Sequence, residues 1–458
     1  MHVRILGIND LHGHLDPTSV GGRQAGGVAW LSSWLDRYSA DGTPAIRVSA
    51  GDAVGASPLI SAHFRDEPTV EALNAMHFDV ATVGNHDFDE GRDEMLRLAS
   101  GGDGSPGAAF PYIGANTLDA ATGKPFLPPY EVLERGGVKI GFIGVTTPAS
   151  GRWLLPRYAD QLRFADISDT VNRYADELEA QGVHAIVVLA HSGGAQETGD
   201  QARGEIVDEA RQMTDAVDVV IAGHTHTLMD LRVGHKIVTQ AISYGTAFDD
   251  VDLEIDPRSD EVVASQAQVV QTWHDGVTPD PALTALVDRW RARLGGLGDR
   301  HVADLAAPIT RIGGAGGQSP LGTLVAESER AAAHADIAFV PPDWIRADLP
   351  AGPVTYSDVF DVQPFGNDIV RMDMKGSDLR EVLAEQEAPG HPILQQSGLP
   401  STIDIGKTYS VAASEFLADG GEDFAPFRRG TDRSTAGKDV DALADYLARR
   451  EAAFARSR

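Results

Sequence analysis

The sequence predicts an α/β protein followed by a smaller α+β module, and three features carry that expectation. Up to about residue 275, short apolar runs alternate with stretches of helical periodicity. A Pro-, Gly- and Asp-rich break at 275–281 and a Gly-Gly-Leu-Gly run at 295–298 interrupt the chain. Its 458 residues exceed one ordinary domain, so two are expected.

Residues 3–8, 45–49, 80–83, 185–190 and 217–222 are apolar enough to read as buried strands. Residues 27–38 place Val28, Leu31 and Leu35 at helical spacing, and 139–146 is a continuous apolar strand. Residues 167–180 and 201–213 read as surface helices preceding the fourth and fifth runs. The alternation at 236–242, 248–255 and 261–271 suggests antiparallel strands that close the first domain. The expected division is a first domain over 1–275, a helical linker over 276–300 and a second domain over 301–458. Within the second, a glycine-rich loop at 313–317 precedes a helix at 321–335. Strands at 337–340, 368–374 and 409–413 and helices at 377–386 and 440–449 complete it.

Composition narrows the chemistry. The chain is 42% hydrophobic and 23% charged, as globular proteins are. It carries 38 basic and 67 acidic residues, a net charge of −29. Such a chain is a poor nonspecific partner for nucleic acid polymers or anionic membranes. With no cysteine, thiolate ligands, disulfides and cysteine nucleophiles are excluded. No run is long and apolar enough to span a bilayer, and no leader pattern precedes residue 3. The expectation is a cytoplasmic protein, or one exported after a leader absent from this chain.

Five strings follow the five apolar runs: Asp10-Leu11-His12, Gly51-Asp52, Gly84-Asn85-His86-Asp87, His191 and Gly223-His224-Thr225-His226. In α/β sheets, ligands bind at the carboxyl ends of strands, so distant segments can deliver these side chains to one place. Taken singly, Asp10 reads as a cap, Gly51-Asp52 as a turn and His191 as a buried core histidine. Taken in order, they form a donor set of carboxylates, imidazoles and one amide. Such a set suits two divalent ions of the Mn, Zn, Co or Fe kind. A carboxylate has two oxygens, so Asp52 is the natural bridge. Hydroxide held by a metal pair is a strong nucleophile, and the same charge offsets that of a transferring phosphoryl group.

This series resembles the calcineurin-like metallophosphoesterases, and within them the two-domain 5′-nucleotidase branch. That branch includes UDP-sugar hydrolases and 2′,3′-cyclic-nucleotide phosphodiesterases. The resemblance covers nearly the whole chain. It implies a layered β-sandwich with flanking helices for the first domain and a substrate-binding α+β second domain. It also implies that Asp10, His12, Asp52 and His226 hold one metal, while Asp52, Asn85, His191 and His224 hold the other. His86 would stabilise the transition state and assist the leaving oxygen, with Asp89 orienting it. The competing role for Asp89 is to cap a helix starting near Glu90. His14 and His63 match no ligand position.

In the family, two aromatic rings sandwich the base and arginines take the phosphate. Pro364-Phe365-Gly366-Asn367 and Glu415-Phe416-Leu417-Ala418-Asp419-Gly420-Gly421 match the aromatic strings. Phe365 and Phe416 are the candidate clamp, with Asn367 as a polar contact; core packing is the competing role for both rings. Arg346 is the candidate phosphate contact. The match frays at Pro341-Pro342-Asp343-Trp344-Ile345-Arg346, where the family has glycines. It frays again at Glu422, within Gly421-Glu422-Asp423-Phe424, and at Gly322-Thr323. Trp344 and Glu422 are therefore candidates for an altered substrate grip, Trp344 either stacking on a base or sugar or blocking part of the cleft. The expected function is hydrolysis of a small phosphate monoester, foremost a nucleoside 5′-monophosphate. Cyclic nucleotides or UDP-sugars are the alternative, and a silent nucleotide-binding protein a third reading.

Overall fold

In the computed structural model, residues 1–314, 316–388 and 390–456 are described; Ala315 of the expected glycine-rich loop lies outside them. The chain divides into two compact units, Met1–Gly151 with Arg157–Arg293, and Arg152–Pro156 with Leu294–Arg458. The helix Pro281–Leu294, expected in the linker, falls almost wholly within the first unit. It buries Leu283, Leu286, Val287 and Trp290, and the Trp290 indole donates to Glu71 at 2.8 Å.

Two six-stranded sheets form the first unit. At the centre of one, His2–Ile8 pairs in parallel with Ala45–Ser49, which pairs in parallel with Val80–Thr82. The other has Val138–Thr146, Ala185–His191 and Val219–Ala222 as parallel neighbours. Parallel strands at the centre of a layered fold are buried on both faces, which explains their unbroken apolar runs. Successive side chains point to opposite faces. Ala185, Val187 and Leu189 join Val3, Ile5, Ile46 and Val48 in a core between the sheets. Ile186, Val188 and Ala190 pack outward with Val171, Leu178 and Ile206 from the covering helices.

One strand expectation and one helix expectation need correction. Lys236–Ala241 does not close the domain beside the last two strands; it pairs in parallel with Val219–Ala222 and antiparallel with Leu228–Val233 in the second sheet. The edge strand Leu228–Val233, easily mistaken for loop, returns the chain to that position. Only Ala247–Ile255 and Val262–Gln271 form the antiparallel extension of the first sheet. The helix expected from 201 begins at Glu205, because Gln201–Arg203 pairs with Ala195–Thr198 and Gly204 turns the chain at φ 121°.

The second unit centres on a five-stranded sheet in the order Gln395–Ser397, Ile337–Val340, Thr408–Ser414, Asp368–Lys375, Thr431–Lys438. Phe339, Met372, Val411, Phe424 and Phe427 fill its core with Leu379 and Val382 from the helix Gly376–Glu385. Among the described residues no helix is long and apolar enough to cross a membrane.

The helix Asp439–Arg456 starts at a buried carboxylate. Asp439 accepts from the Val440 amide at 2.7 Å and from Asn367 Nδ2 at 3.2 Å. Burial pushes its carboxyl up to about 7. A raised folded-state value means stability is fully present below the unfolded carboxylate range and is lost as pH rises through about 7. Urea unfolding at about pH 5 and pH 8 should show a fall in wild-type stability, of which Asp439→Asn removes on the order of 2–4 kcal/mol. Parallel pH slopes for the two proteins would contradict this.

Candidate metal centre

The five strings meet at one end of the first unit, where strands of both sheets finish. His191 is the last residue of its strand; the other donors sit on tight loops two to four residues beyond theirs. Asp10, His12, Asp52, His224 and His226 all have positive φ, between 46° and 78°. Non-glycine residues seldom adopt this left-handed backbone, and such residues gather where surrounding structure holds them for function.

Each carboxylate has one oxygen tied down and one aimed inward. Asp10 Oδ2 accepts from Asn9 Nδ2 at 2.7 Å and from the His224 amide at 2.8 Å. Its Oδ1 is buried without a hydrogen-bond partner and lies 3.2 Å from His226 Nε2 and 3.7 Å from His12 Nε2. Asp52 Oδ1 accepts from the His86 amide at 2.8 Å. Its Oδ2 lies 3.0 Å from His191 Nε2 and 3.7 Å from His12 Nε2.

The imidazoles are set the same way. His12 Nδ1 bonds the Gly55 carbonyl at 2.8 Å and His191 Nδ1 the Ala50 carbonyl at 2.9 Å. A carbonyl accepts only, so each Nδ1 carries a proton and Nε2 is left as the atom that would meet a cation, the cation taking the place of any proton held there. The Nε2 atoms of His12 and His226 face each other at 3.2 Å. Buried His191 Nε2 and Asn85 Oδ1 also lack hydrogen-bond partners. Asp10, His12 and His226 form one group able to hold a metal, and Asp52, His191 and His224 another. Converging lone pairs and unpartnered buried oxygens, without sulfur, fit hard-to-borderline divalent cations. A third group, His301, Asp304 and Glu451, lies on the second unit with its first two members exposed, a common arrangement without an ion.

Electrostatics agrees with this fit. Burial raises Asp10 and Asp52, yet the neighbouring imidazoles hold both below the ordinary carboxylate range. Burial lowers His191, but Asp52 lifts it to about 9. Burial and the nearby His191 drop His224 to about 3, so it is neutral. The negative potential that draws a proton to His191 is the potential that attracts a cation.

Three supporting residues, Asp87, Asn9 and Tyr244, have no assigned role from sequence alone. Asp87, inside the Gly-Asn-His-Asp string, accepts from the Gly84 amide at 2.7 Å and the Asp52 amide at 2.9 Å, clamping two loops together. Asn9 orients Asp10 and also receives the Ala241 amide at 2.8 Å. Tyr244 stacks on His14 at 3.9 Å and meets His226 edge-on at 5.3 Å; no local pattern marks it. His86 lies beside the donors, its ring 5.2 Å from that of His12. Its Nδ1 is 2.9 Å from Asp89 Oδ2. The helix Arg92–Ser100 starts after Gly91 with no side-chain cap, so Asp89 does not cap it.

In the second unit, Phe416 is fully buried on the helix Glu415–Ala418, while Phe365 is half-buried. Trp344 stacks on Phe416 at 4.6 Å and on Phe365 at 4.7 Å. Asn367 is buried with its amide on Asp439. Among the described residues, no carboxylate lies within ion-pair distance of the half-buried Arg346 guanidinium. Burial and Asp343 push Glu422 up to about 7.

Comparison with known proteins agrees with this architecture. Residues 3–228 match the calcineurin-like phosphoesterase family and residues 301–408 the 5′-nucleotidase C-terminal domain. The chain belongs to this two-domain metallophosphoesterase family, whose members are phosphoric ester hydrolases that use divalent metals. It is 34% identical to Endonuclease YhcR of Bacillus subtilis over 97% of its own length, but spans only 39% of that relative. It is 31% identical to Cell wall protein Lmo0130 of Listeria monocytogenes, covering 98% of this chain and 67% of the relative. The 5′-nucleotidase precursor of Thermus thermophilus superposes with a TM-score of 0.83 at 24% identity, covering 98% of this chain and 97% of the other, a likeness of fold.

Gly84 is where the donor cage is tightest: a Cβ there would sit 2.2 Å from Asp52 Oδ1. Gly84→Ala must displace that carboxylate. Calorimetric titration with Mn²⁺ should show affinity reduced roughly 10–100-fold, as changes behind metal ligands do, with an unaltered circular dichroism spectrum. Unchanged affinity would contradict the role given to Asp52.

Proposed function

We propose that this chain hydrolyses a small phosphate monoester, with nucleoside 5′-monophosphates the first class to test. Residues 1–275 would supply the chemistry and 301–458 would hold the substrate, with Arg346, Phe365, Asn367, Phe416, Trp344 and Glu422 its candidate contacts. The observation that carries the reading is Asp52 Oδ2, which lies 3.0 Å from His191 Nε2 and 3.7 Å from His12 Nε2 and so reaches both donor groups. Asp10, His12, His226 and Asp52 would hold one divalent ion; Asp52, Asn85, His191 and His224 would hold a second. When bound, such ions supply Lewis-acid charge to the phosphoryl oxygens and make water acidic enough to attack near neutral pH.

The chain's own residues do the rest. Asp89 accepts from His86 Nδ1–H and so favours the imidazolium, which would donate through Nε2–H. From there it stabilises charge on the phosphoryl group and delivers a proton to the departing alcohol oxygen as the P–O bond breaks. The buried wall of Asn9, Asp87 and Gly84 holds the donors before substrate arrives, so little reorganisation is needed.

Diester hydrolysis is the second reading, favoured by the name of the 34% identical endonuclease. That name belongs to a much longer protein, and the net charge of −29 speaks against a nucleic acid polymer as substrate.

Turnover of p-nitrophenyl phosphate and AMP with Mn²⁺, abolished by EDTA, is the expected result. Turnover of bis-p-nitrophenyl phosphate alone would select the second reading, and no turnover of any ester would remove both. His86→Ala should cut turnover by about 10²–10⁴-fold with Mn²⁺ content preserved. Undiminished turnover would take His86 out of the mechanism.

A further inference from the structure

The second unit packs an indole against the two rings that the family resemblance makes the candidate base clamp. Pro341 and Pro342 limit the backbone before Trp344, and the turn is closed by bonds from the Trp344 amide to Pro341 at 3.3 Å and from Ile345 to Pro342 at 3.2 Å. Ile345 is buried behind it. Rotation of the turn would expose Ile345, so the indole is anchored from its own backbone.

The rings around it leave little room. Phe416 has no exposed surface. Gly421 presses on that ring so closely that a Cβ there would fall 2.3 Å from Phe416 Cε1. Trp344 lies nearly parallel to Phe416 at 25° and 4.6 Å, and tilts 36° from Phe365 at 4.7 Å. The indole lies beside Glu422, a buried carboxyl whose backbone is held at φ 54°. Trp344 stands where the family resemblance expects a glycine, and in the folded unit it neighbours Glu422, about eighty residues further along the chain.

We infer that Trp344 is the specificity-determining residue of this unit: its indole, packed between Phe416 and Phe365, fills the stacking position and excludes a nucleobase from it. The base of a nucleotide then adds nothing to binding, and phosphate monoesters of alcohols without an aromatic base, such as sugar or polyol phosphates, serve as well as nucleotides. This rests on the phosphoesterase reading and narrows it.

Two measurements on the full chain test it. With Mn²⁺, wild-type kcat/KM for AMP and ribose 5-phosphate should be similar, because the base finds no partner. Trp344→Gly should raise the AMP to ribose 5-phosphate ratio about tenfold or more through KM, the size of one stacked base. Trp344→Leu, which fills the space without a ring, should keep the wild-type ratio. A wild-type preference for AMP above about tenfold that falls in Trp344→Gly would overturn the inference, since the indole would then be the stacking partner.

Calorimetric titration with adenosine, without metal, reads the same point independently of turnover. Wild type should give no binding at millimolar adenosine, and Trp344→Gly should bind. Submillimolar binding by wild type would overturn the inference even if the variant did not fold. Absence of all phosphatase activity together with absent wild-type adenosine binding would sink the phosphoesterase reading while upholding the role of Trp344.

Discussion

The organising constraint is the division of labour between the two oxygens of each buried carboxylate. Asp10 and Asp52 each give one oxygen to backbone and amide donors and point the other at imidazole Nε2 atoms. Removing two carboxylates from water is costly unless something positive meets them. Imidazoles alone do so only in part, leaving Asp10 Oδ1, Asn85 Oδ1 and His191 Nε2 buried without hydrogen bonds. Groups arranged this way are expensive for a fold to hold and gain their purpose from cations. The same need explains the positive φ values of five donors and the absence of a side chain at Gly84.

The sandwich makes this convergence possible. Strands from both sheets end at the same edge, so loops after His2–Ile8, Ala45–Ser49 and Val80–Thr82 face those after Ala185–His191 and Val219–Ala222. Their burial on both sides anchors the loops to the most rigid part of the unit. Strained turns at their tips are held there by interior packing.

Much of this was legible in the sequence, because buried parallel strands write continuous apolar runs and metal donors follow them in short strings. The allocation of strands between sheets was not legible, since Lys236–Ala241 has the same alternation in either sheet. Thr431–Lys438 was missed because Thr-Asp-Arg-Ser-Thr-Ala-Gly-Lys is an exposed edge strand with almost no apolar face. The hairpin Pro17–Val20 with Arg23–Gly26 was missed for the same reason. At the site, donors show as motifs, while Tyr244 reaches His14 and Asn9 reaches Ala241 across more than 200 residues of sequence and neither carries a local signature. Trp344 shows in the sequence only as an anomaly; that it packs between Phe416 and Phe365 requires the fold.

The central claim is that Asp52 joins two cations into one centre. Anomalous diffraction from crystals grown with Mn²⁺ tests it most directly. The account expects two peaks roughly 3.5–4 Å apart, both within coordinating distance of Asp52 Oδ2. A single peak, or two peaks of which only one lies beside Asp52, would contradict it.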